Sequence, residues 1–239
     1  MIIYTTDHRV GYNEIGKDHK LTIPAMIDNF SNCGVFHGED KGVSLNYLEE
    51  RHLSWLVCGY QAIIYEMPEL GERITVNTAA YDFKICMGGR NFMIRNSSGR
   101  IVIKADSQWV LMNMQDGTPF RVSEYMCNAY GVAKELKLQD DFRGRKIKRA
   151  EAAETFEPIT VTPPMLDTNR HVNNGQYVHI AQSYLPDDLR YTYFRCEYKK
   201  QAHLGDKMIP VLAQNDQYLQ SMLLDENGET IFIGEWEWF

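Results

Sequence analysis

An α+β fold made twice, each time from one helix and a long antiparallel sheet, is what this 239-residue chain predicts. Three observations carry that expectation. The turn Leu70-Gly71-Glu72-Arg73 recurs as Leu204-Gly205-Asp206-Lys207, an offset of 134 residues. The hairpin signal Ser97-Ser98-Gly99, followed by an aliphatic run and Trp109, recurs as Glu226-Asn227-Gly228 with its own aliphatic run and Trp238, an offset of 129. Each set is also preceded by one stretch with helix-start chemistry. Matches in the same order at nearly equal offsets indicate an internal duplication. Unrelated hairpins would share Gly turns, but not the order helix, Leu-Gly turn, hairpin and terminal Trp.

The first helix opens at Ile23-Pro24-Ala25-Met26-Ile27, with Thr22 as N-cap and Pro24 in the first turn. Gly34 or Gly38 is expected to end it. Strands are expected over Trp55 to Glu66, Ile74 to Lys84, Arg90 to Arg95 and Arg100 to Met114. In the last, Ile101, Ile103, Ala105, Trp109 and Leu111 share one face. In the second half Asn173 or Asn174 caps a helix that Pro186 stops. Strands follow at Tyr193 to Lys200, Met208 to Gln214, Gln217 to Leu224 and Glu229 to Phe239. An amphipathic sheet must cover its apolar face, and one helix per half does so if the sheet curls round it. The expectation is therefore a tandem, or double, hot-dog fold, each half a central helix wrapped by a curved antiparallel sheet. Residues 1–125 and 155–239 form the halves, and the charged stretch 126–154, with Arg143, Arg145, Lys146, Lys148 and Arg149, is the linker.

Composition narrows the function. A formal net charge of −7 argues against a nucleic-acid binder, which needs a dominant basic field. No stretch is long and apolar enough for a membrane span, and the N-terminus lacks the basic start and apolar run of a signal peptide. Five scattered cysteines without a Cys-x-x-Cys pair suit a reducing cytoplasm and suggest neither a disulfide framework nor a zinc knuckle. No cofactor is expected.

The most reactive stretch is Asp167-Thr168-Asn169-Arg170-His171-Val172-Asn173-Asn174-Gly175. If it is extended, alternate residues point the same way, so Asp167, Asn169 and His171 converge just before a helix start. A carboxylate beside a developing tetrahedral centre serves as general base on water or as nucleophile. Asn169 orients the water or the carboxylate, and His171 has a pKa of about 6.5 when unperturbed, suited to proton transfer. Asn173, Asn174 and Gly175 offer first-turn N–H groups for an oxyanion, with Gly175 letting a substrate carbonyl come close. The sum is acyl transfer to water, and a thioester suits it because a thiolate of pKa about 8.5 leaves with little acid assistance. Capping alone also accounts for Asp and Asn before a helix. A calcium loop fails, since Val172 and Val178 stand where Gly and Glu are required. A metal site from Asp167, His171 and His179 lacks a second close His spacing.

At these residues the chain resembles the plant-type acyl-acyl-carrier-protein (acyl-ACP) thioesterases and their bacterial relatives. Asp167-x-Asn169-x-His171-Val172-Asn173-Asn174-x-x-Tyr177 is similar to that family's signature, and Glu197-Tyr198-Lys199-Lys200 to its Glu-Tyr-Arg-Arg strand. Gly89-Arg90-Asn91-Phe92 resembles its Arg-Arg-Asp-Trp stretch, and Ala105 to Asn113 its Ala-x-Ser-x-Trp-Val-x-Met-Asn strand. The resemblance implies the tandem hot dog, hydrolysis of fatty acyl thioesters on acyl carrier protein, and catalytic roles for Asp167, Asn169 and His171. One departure stands out. Plant members place Glu-Cys where this chain has Gln201-Ala202, so no Cys nucleophile exists there and Gln201 is left an auxiliary, orienting role.

The acyl chain needs an apolar pocket, assigned to the first half with Met26, Ile27 and Phe30 as lining, and Gly38 to His52 is a lid or a surface loop. Acyl carrier proteins are acidic, so a basic patch is needed, for which Lys199 and Lys200 are the nearest candidates to the reactive stretch. An acyl-CoA thioesterase and a non-catalytic acyl-chain binder remain open alternatives, as does a homodimer.

Overall fold

The computed structural model describes residues 3–140, 142–151, 154–167, 169–186, 189–214 and 217–238. Thr168 in the reactive stretch, Asp141 in the linker and Phe239 at the end of the last expected strand lie outside the described residues. The elements of the first half are β1 (Tyr4–Arg9), α1 (Ile23–Asp40), α2 (Leu45–Glu49), β2 (Leu53–Ile64), β3 (Arg73–Lys84), β4 (Met87–Arg95), β5 (Ile101–Asn113) and β6 (Thr118–Pro119). Then come α3 (Glu124–Ala129), β7 (Glu154–Thr155), β8 (Ile159–Thr160), α4 (Asn174–Gln182), β9 (Tyr191–Tyr198), β10 (Lys207–Gln214), β11 (Leu219–Leu224) and β12 (Thr230–Trp238).

The strand order is β1-β3-β4-β5-β2-β9-β12-β11-β10-β7, with β6 paired to β5 and β8 to β10. This order is nearly a palindrome about the β2/β9 pair. There the halves join antiparallel, Tyr60 opposite Cys196 and Ala62 opposite Phe194. The tandem hot-dog expectation holds: α1 and α4 lie together on the inner face of one antiparallel sheet. Period-2 alternation sends Tyr60, Ala62, Phe92, Ile94, Phe194, Phe232 and Trp236 into a single core with Met26, Ile27 and Phe30 of α1 and Tyr177, Val178 and Ala181 of α4. Full burial of each large side chain stabilises the fold by about 1.5–3 kcal/mol.

Helix α1 starts as expected, with Thr22 Oγ1 accepting from the Ala25 N–H, but it passes through both Gly34 and Gly38. The chain turns only at Gly42, at φ +75°. Gly38 is there for close approach, since a Cβ on it would lie 2.9 Å from the Val43 carbonyl oxygen and 3.2 Å from the Tyr130 hydroxyl. The stretch Gly38 to His52 contains α2, whose Leu48 joins Val43, Leu53, Leu111, Met126 and Tyr130 in a second cluster.

The basic stretch after residue 140 crosses the outer face of the sheet and is tied to it. Arg145 donates to Asp106 Oδ2 (2.9 Å) and the Tyr81 hydroxyl (2.8 Å), and Arg143 to Glu237 (2.7 Å). Gln220, fully buried, accepts from the Ala150 N–H and donates to the Lys148 carbonyl. The Ile147 N–H donates to Glu197. Arg143 and Arg145 thus pair with carboxylates on the sheet, while Lys146, Lys148 and Arg149 are exposed.

Candidate active site

The reactive stretch is a tight turn and not the extended segment its alternation suggested. Leu166 bridges Val172 antiparallel, the Asp167 N–H donates to the His171 carbonyl at 2.8 Å, and Arg170 takes φ +62°. The Asp167 side chain holds the turn, because its Oδ1 accepts from the N–H groups of Asn169 (2.8 Å) and His171 (3.2 Å). Oδ2 has no hydrogen-bond partner among the described residues. Asn173 caps α4, its Oδ1 accepting from the Gly175 N–H at 2.9 Å. Asn174 is then the first residue of α4, and its N–H has no acceptor within the helix.

Two cavities meet at this turn. One, of about 240 Å³, runs along α1 beside Ser31, Gly34, Val35 and Gly38, and is closed by Val43, Leu45, Leu48, Phe83 and Tyr130. The other, also about 240 Å³, is a cleft bordered by Leu56, Val57, His171, Tyr198, Lys199, Lys200 and Gln201. Asp167, Asn169, Asn174 and Trp55 line both. The cleft opens where β9 stops pairing: its partners on β2 run only from Gly59 to Ile63, leaving the start of β2 free of β9.

His171 lines the cleft alone, its ring set edge-on to His203 at 4.9 Å. Burial, and then the neighbouring His203, push its pKa below the usual histidine value, while Asp167 pulls the other way. No hydrogen bond joins its ring to Asp167 or Asn169 among the described residues. Gln201 faces the cleft, whereas Ala202 is fully buried, its N–H donating to the Tyr177 hydroxyl at 2.9 Å. Position 202 thus faces the core, and the cleft presents the Gln201 amide and no thiol from this pair.

Two expectations need correction, and the environment of a third pair of residues adds to what was expected. Met26, Ile27 and Phe30 are fully buried in the core and do not line the acyl-sized cavity. Met26 and Phe30 lie on the stripe facing α4 and the sheet, whereas Ile27 shares the phase of 31, 34 and 38 but sits a turn nearer the helix start, before the cavity begins at Ser31. Gly175 does not admit a substrate carbonyl, since Asp28 of α1 packs there. A Cβ would overlap Asp28 Oδ1 and lie 2.9 Å from its Cγ. The Gly175 N–H is also taken by the cap, which leaves Asn174 as the donor at the neck. Finally, Lys199 and Lys200 stand at the cleft but are engaged, Lys200 with Asp225 (2.5 Å) and Glu229 (3.1 Å), Lys199 with Glu197 (3.4 Å).

Trp55, Asp28 and Arg90 belong to this region and were not singled out as site residues from the sequence. Arg90 carried a signal: it is a lone cation in the glycine-rich and apolar run Gly88 to Ile94.

A sequence profile of the acyl-ACP thioesterase N-terminal domain matches residues 2–130, more than half of the chain. The chain belongs to the acyl-ACP thioesterase family. Among its relatives are a chloroplastic acyl-[acyl-carrier-protein] hydrolase of Cuphea viscosissima, 23% identical, and a chloroplastic palmitoyl-acyl carrier protein thioesterase of Cuphea hookeriana, also 23% identical. Both alignments cover 99% of this chain but only 63% and 62% of those proteins, so it spans less than two thirds of their length. In fold, the family likeness is close. An acyl-ACP thioesterase from Bacteroides thetaiotaomicron superposes with a TM-score of 0.88 over 99% of this chain and 98% of its own, at 18% identity. The 12:0-ACP thioesterase from Umbellularia californica gives 0.83 over 99% and 97%, at 19% identity. The Asp167 turn lies beyond the matched profile.

Proposed function

We propose that this chain hydrolyses fatty acyl thioesters of acyl carrier protein, releasing free fatty acid and so terminating fatty acid synthesis. The observation that carries the reading is the neck: Asp167, Asn169 and Asn174 line both the cavity beside α1 and the cleft beside Lys199 and Lys200. A thioester carbon held at that neck puts the acyl chain in the first cavity and the pantetheine arm in the second. In this reading residues 1–125 shape the acyl pocket, 155–239 supply the chemistry, and 126–154 tether the two.

Asp167 Oδ2 takes a proton from water as the water oxygen bonds to the acyl carbon. The Asn169 amide orients that water. The oxyanion is met by the Asn174 N–H at the positive end of α4, a donor of a kind worth about 3 kcal/mol of barrier. Collapse breaks the C–S bond, and the thiolate takes up the proton that water gave to Asp167, directly or relayed through His171, which leaves Asp167 ionised again. Burial and His203 push the His171 pKa down, which favours the neutral imidazole that such a relay needs. Gln201 steadies the arm or the water by hydrogen bonding. Lys199 and Lys200 meet the acidic carrier protein, exchanging their present carboxylate partners for the carrier's.

The test is a panel of acyl-ACP and matched acyl-CoA substrates across chain lengths. Faster release from acyl-ACP supports the reading, faster release from acyl-CoA moves the substrate to the other carrier, and saturable acyl binding without release would make the protein an acyl binder.

A further inference from the structure

The first half keeps a cleft built on the same plan as the one beside Asp167, with different chemistry in it. The turn from Gly16 to Lys20 repeats the reactive turn, Ile15 bridging Leu21 as Leu166 bridges Val172. The central strands repeat as well. Gly59 faces Glu197 and Ile63 faces Tyr193, as a two-fold relation between β2 and β9 at the repeat offset requires. Under that relation Ile64 to Met67 answer to Tyr198 to Gln201, and Leu189 to Thr192 answer to Trp55 to Cys58. Both sets border a cavity of about 250 Å³ beside the Gly16 turn, just as their counterparts border the cleft beside Asp167.

Substitutions at the turn change what this cleft can hold. Gly16 stands in the place of Asp167, so no carboxylate is there to activate water. Lys20 stands in the place of His171, and Arg190 in that of Leu56. Both cations line the cavity, and neither forms an ion pair among the described residues. Asp18, in the place of Asn169, offsets one of them, and its Oδ1 accepts from the Lys20 N–H at 3.1 Å. The level that is negative in the reactive cleft is therefore positive here. At the mouth Glu66 replaces Lys200 and pairs with Arg100, so this rim is not a cationic face for an acidic carrier protein.

The depth changes too. Gln182 is the ninth and last residue of α4, as Ser31 is the ninth of α1, but α1 runs on through Gly34 and Gly38. Leu185, only 7% exposed, and Pro186 close the cavity where α1 leaves its own slot open. What remains is a short cleft with Leu21, Ile64, Met67 and Leu189 along it and two cations at its inner end. A guanidinium fork and an ammonium suit the two oxygens of a carboxylate, and the apolar walls suit a hydrocarbon tail.

We infer that this cleft is a second, non-catalytic site that binds a free fatty acid as its carboxylate. The head lies at Lys20 and Arg190, and the tail along Leu21, Ile64, Met67 and Leu189. The inference rests on the duplicated geometry and stands apart from the thioesterase reading, although fatty acid is what the proposed hydrolysis releases.

The experiment is calorimetric titration of decanoate into the native protein and into Lys20→Met/Arg190→Met, which keeps the apolar stems and removes both charges. Decanoate binding should include a component that weakens about tenfold or more in the double variant. In the native protein 1-decanol, which lacks the charge, should miss that component by a similar factor. Initial rates of fatty acid release from acyl-ACP should stay at the native level in the double variant. Gly16→Asp returns a carboxylate to the turn at a backbone position without positive φ, and should weaken decanoate binding likewise. It serves as the check if the double variant does not fold. Decanoate binding unchanged in these variants, equal binding of decanol, or phosphopantetheine taken up there in place of decanoate overturns the inference. Decanoate bound as expected by a protein that hydrolyses no acyl-ACP overturns the thioesterase reading alone.

Discussion

Replacing Asp167 by Asn separates two jobs that the proposed mechanism gives to one carboxylate. Its Oδ1 holds the turn through the N–H groups of Asn169 and His171, and Oδ2 is left for chemistry. An Asn amide oxygen can still accept both N–H groups, so the turn loses at most about 1 kcal/mol, whereas Asp167→Ala removes both bonds and costs about 1–2 kcal/mol. For a chain of this size 1 kcal/mol moves Tm by about 2–4 °C, so Asn should melt within a few degrees of the native protein and Ala several degrees lower. Neither residue accepts a proton from water. The loss of a positioned base lowers the rate by about 10²–10⁴-fold, roughly 3–5 kcal/mol of barrier, in both variants. Single-turnover release of fatty acid from acyl-ACP, with melting curves on the same samples, gives the two numbers independently. An Asn variant that keeps the native rate would show that Asp167 only shapes the turn. An Asn variant that loses rate and Tm in step with Ala would make the rate loss a consequence of the collapsed turn.

Gly175→Ala should cost about 1–3 kcal/mol by forcing α1 from α4, and Asp28→Ala in the same chain should restore most of it; an unchanged Tm in the single variant would refute the close approach. His37 has its pKa held down to about 3, so unfolding takes up a proton between there and about 6.5. Its contribution is therefore full above about pH 6.5 and is lost toward pH 3, at up to about 1.4 kcal/mol per pH unit. Urea unfolding from pH 7.5 to 4.5 should show a shallower decline in His37→Gln, and an identical slope would argue against a neutral buried imidazole. Charge reversal at Lys199 and Lys200 should raise KM for acyl-ACP several-fold at low salt, with the effect shrinking as salt is added; a salt-independent change would point to altered cleft geometry instead.

The parts of the fold legible in the sequence are those with a local period or a local stop. The eight long strands, the Thr22 and Asn173 caps and the duplication all follow from alternation, capping and turn chemistry, with strand ends shifted by a few residues. Three things were hidden, each for a physical reason. Gly34 and Gly38 looked like helix ends because glycine does both jobs, close approach and termination, and only the packing partners distinguish them. The α1 face toward the cavity mixes Ser31, Gly34, Val35 and Gly38, so apolarity alone selected Met26, Ile27 and Phe30 instead. The linker read only as a charged tether because the groups it meets, Asp106, Glu197, Gln220 and Glu237, lie on strands far away in sequence.

The duplication extends to the reactive turn itself, and this bears on what Asp167 is for. The first half holds a turn of the same shape at Gly16 to Lys20. Ile15 bridges Leu21 as Leu166 bridges Val172, Gly16 N–H donates to the Lys20 carbonyl at 2.9 Å, and His19 takes φ +61° where Arg170 takes +62°. Lys20 bridges Glu69 as His171 bridges His203. Gly16, Asp18 and Lys20 stand where the second turn has Asp167, Asn169 and His171. The first turn closes with no side chain at its first position, steadied by Asp18 Oδ1 accepting from the Lys20 N–H at 3.1 Å. It also borders a cavity of about 250 Å³, so the duplicated geometry opens a cleft whether or not the reactive set is present. The backbone therefore does not need a carboxylate at the position of Asp167 in order to turn. A carboxylate there with one oxygen unpaired among the described residues, at the neck between two cavities, is what the proposed base role requires.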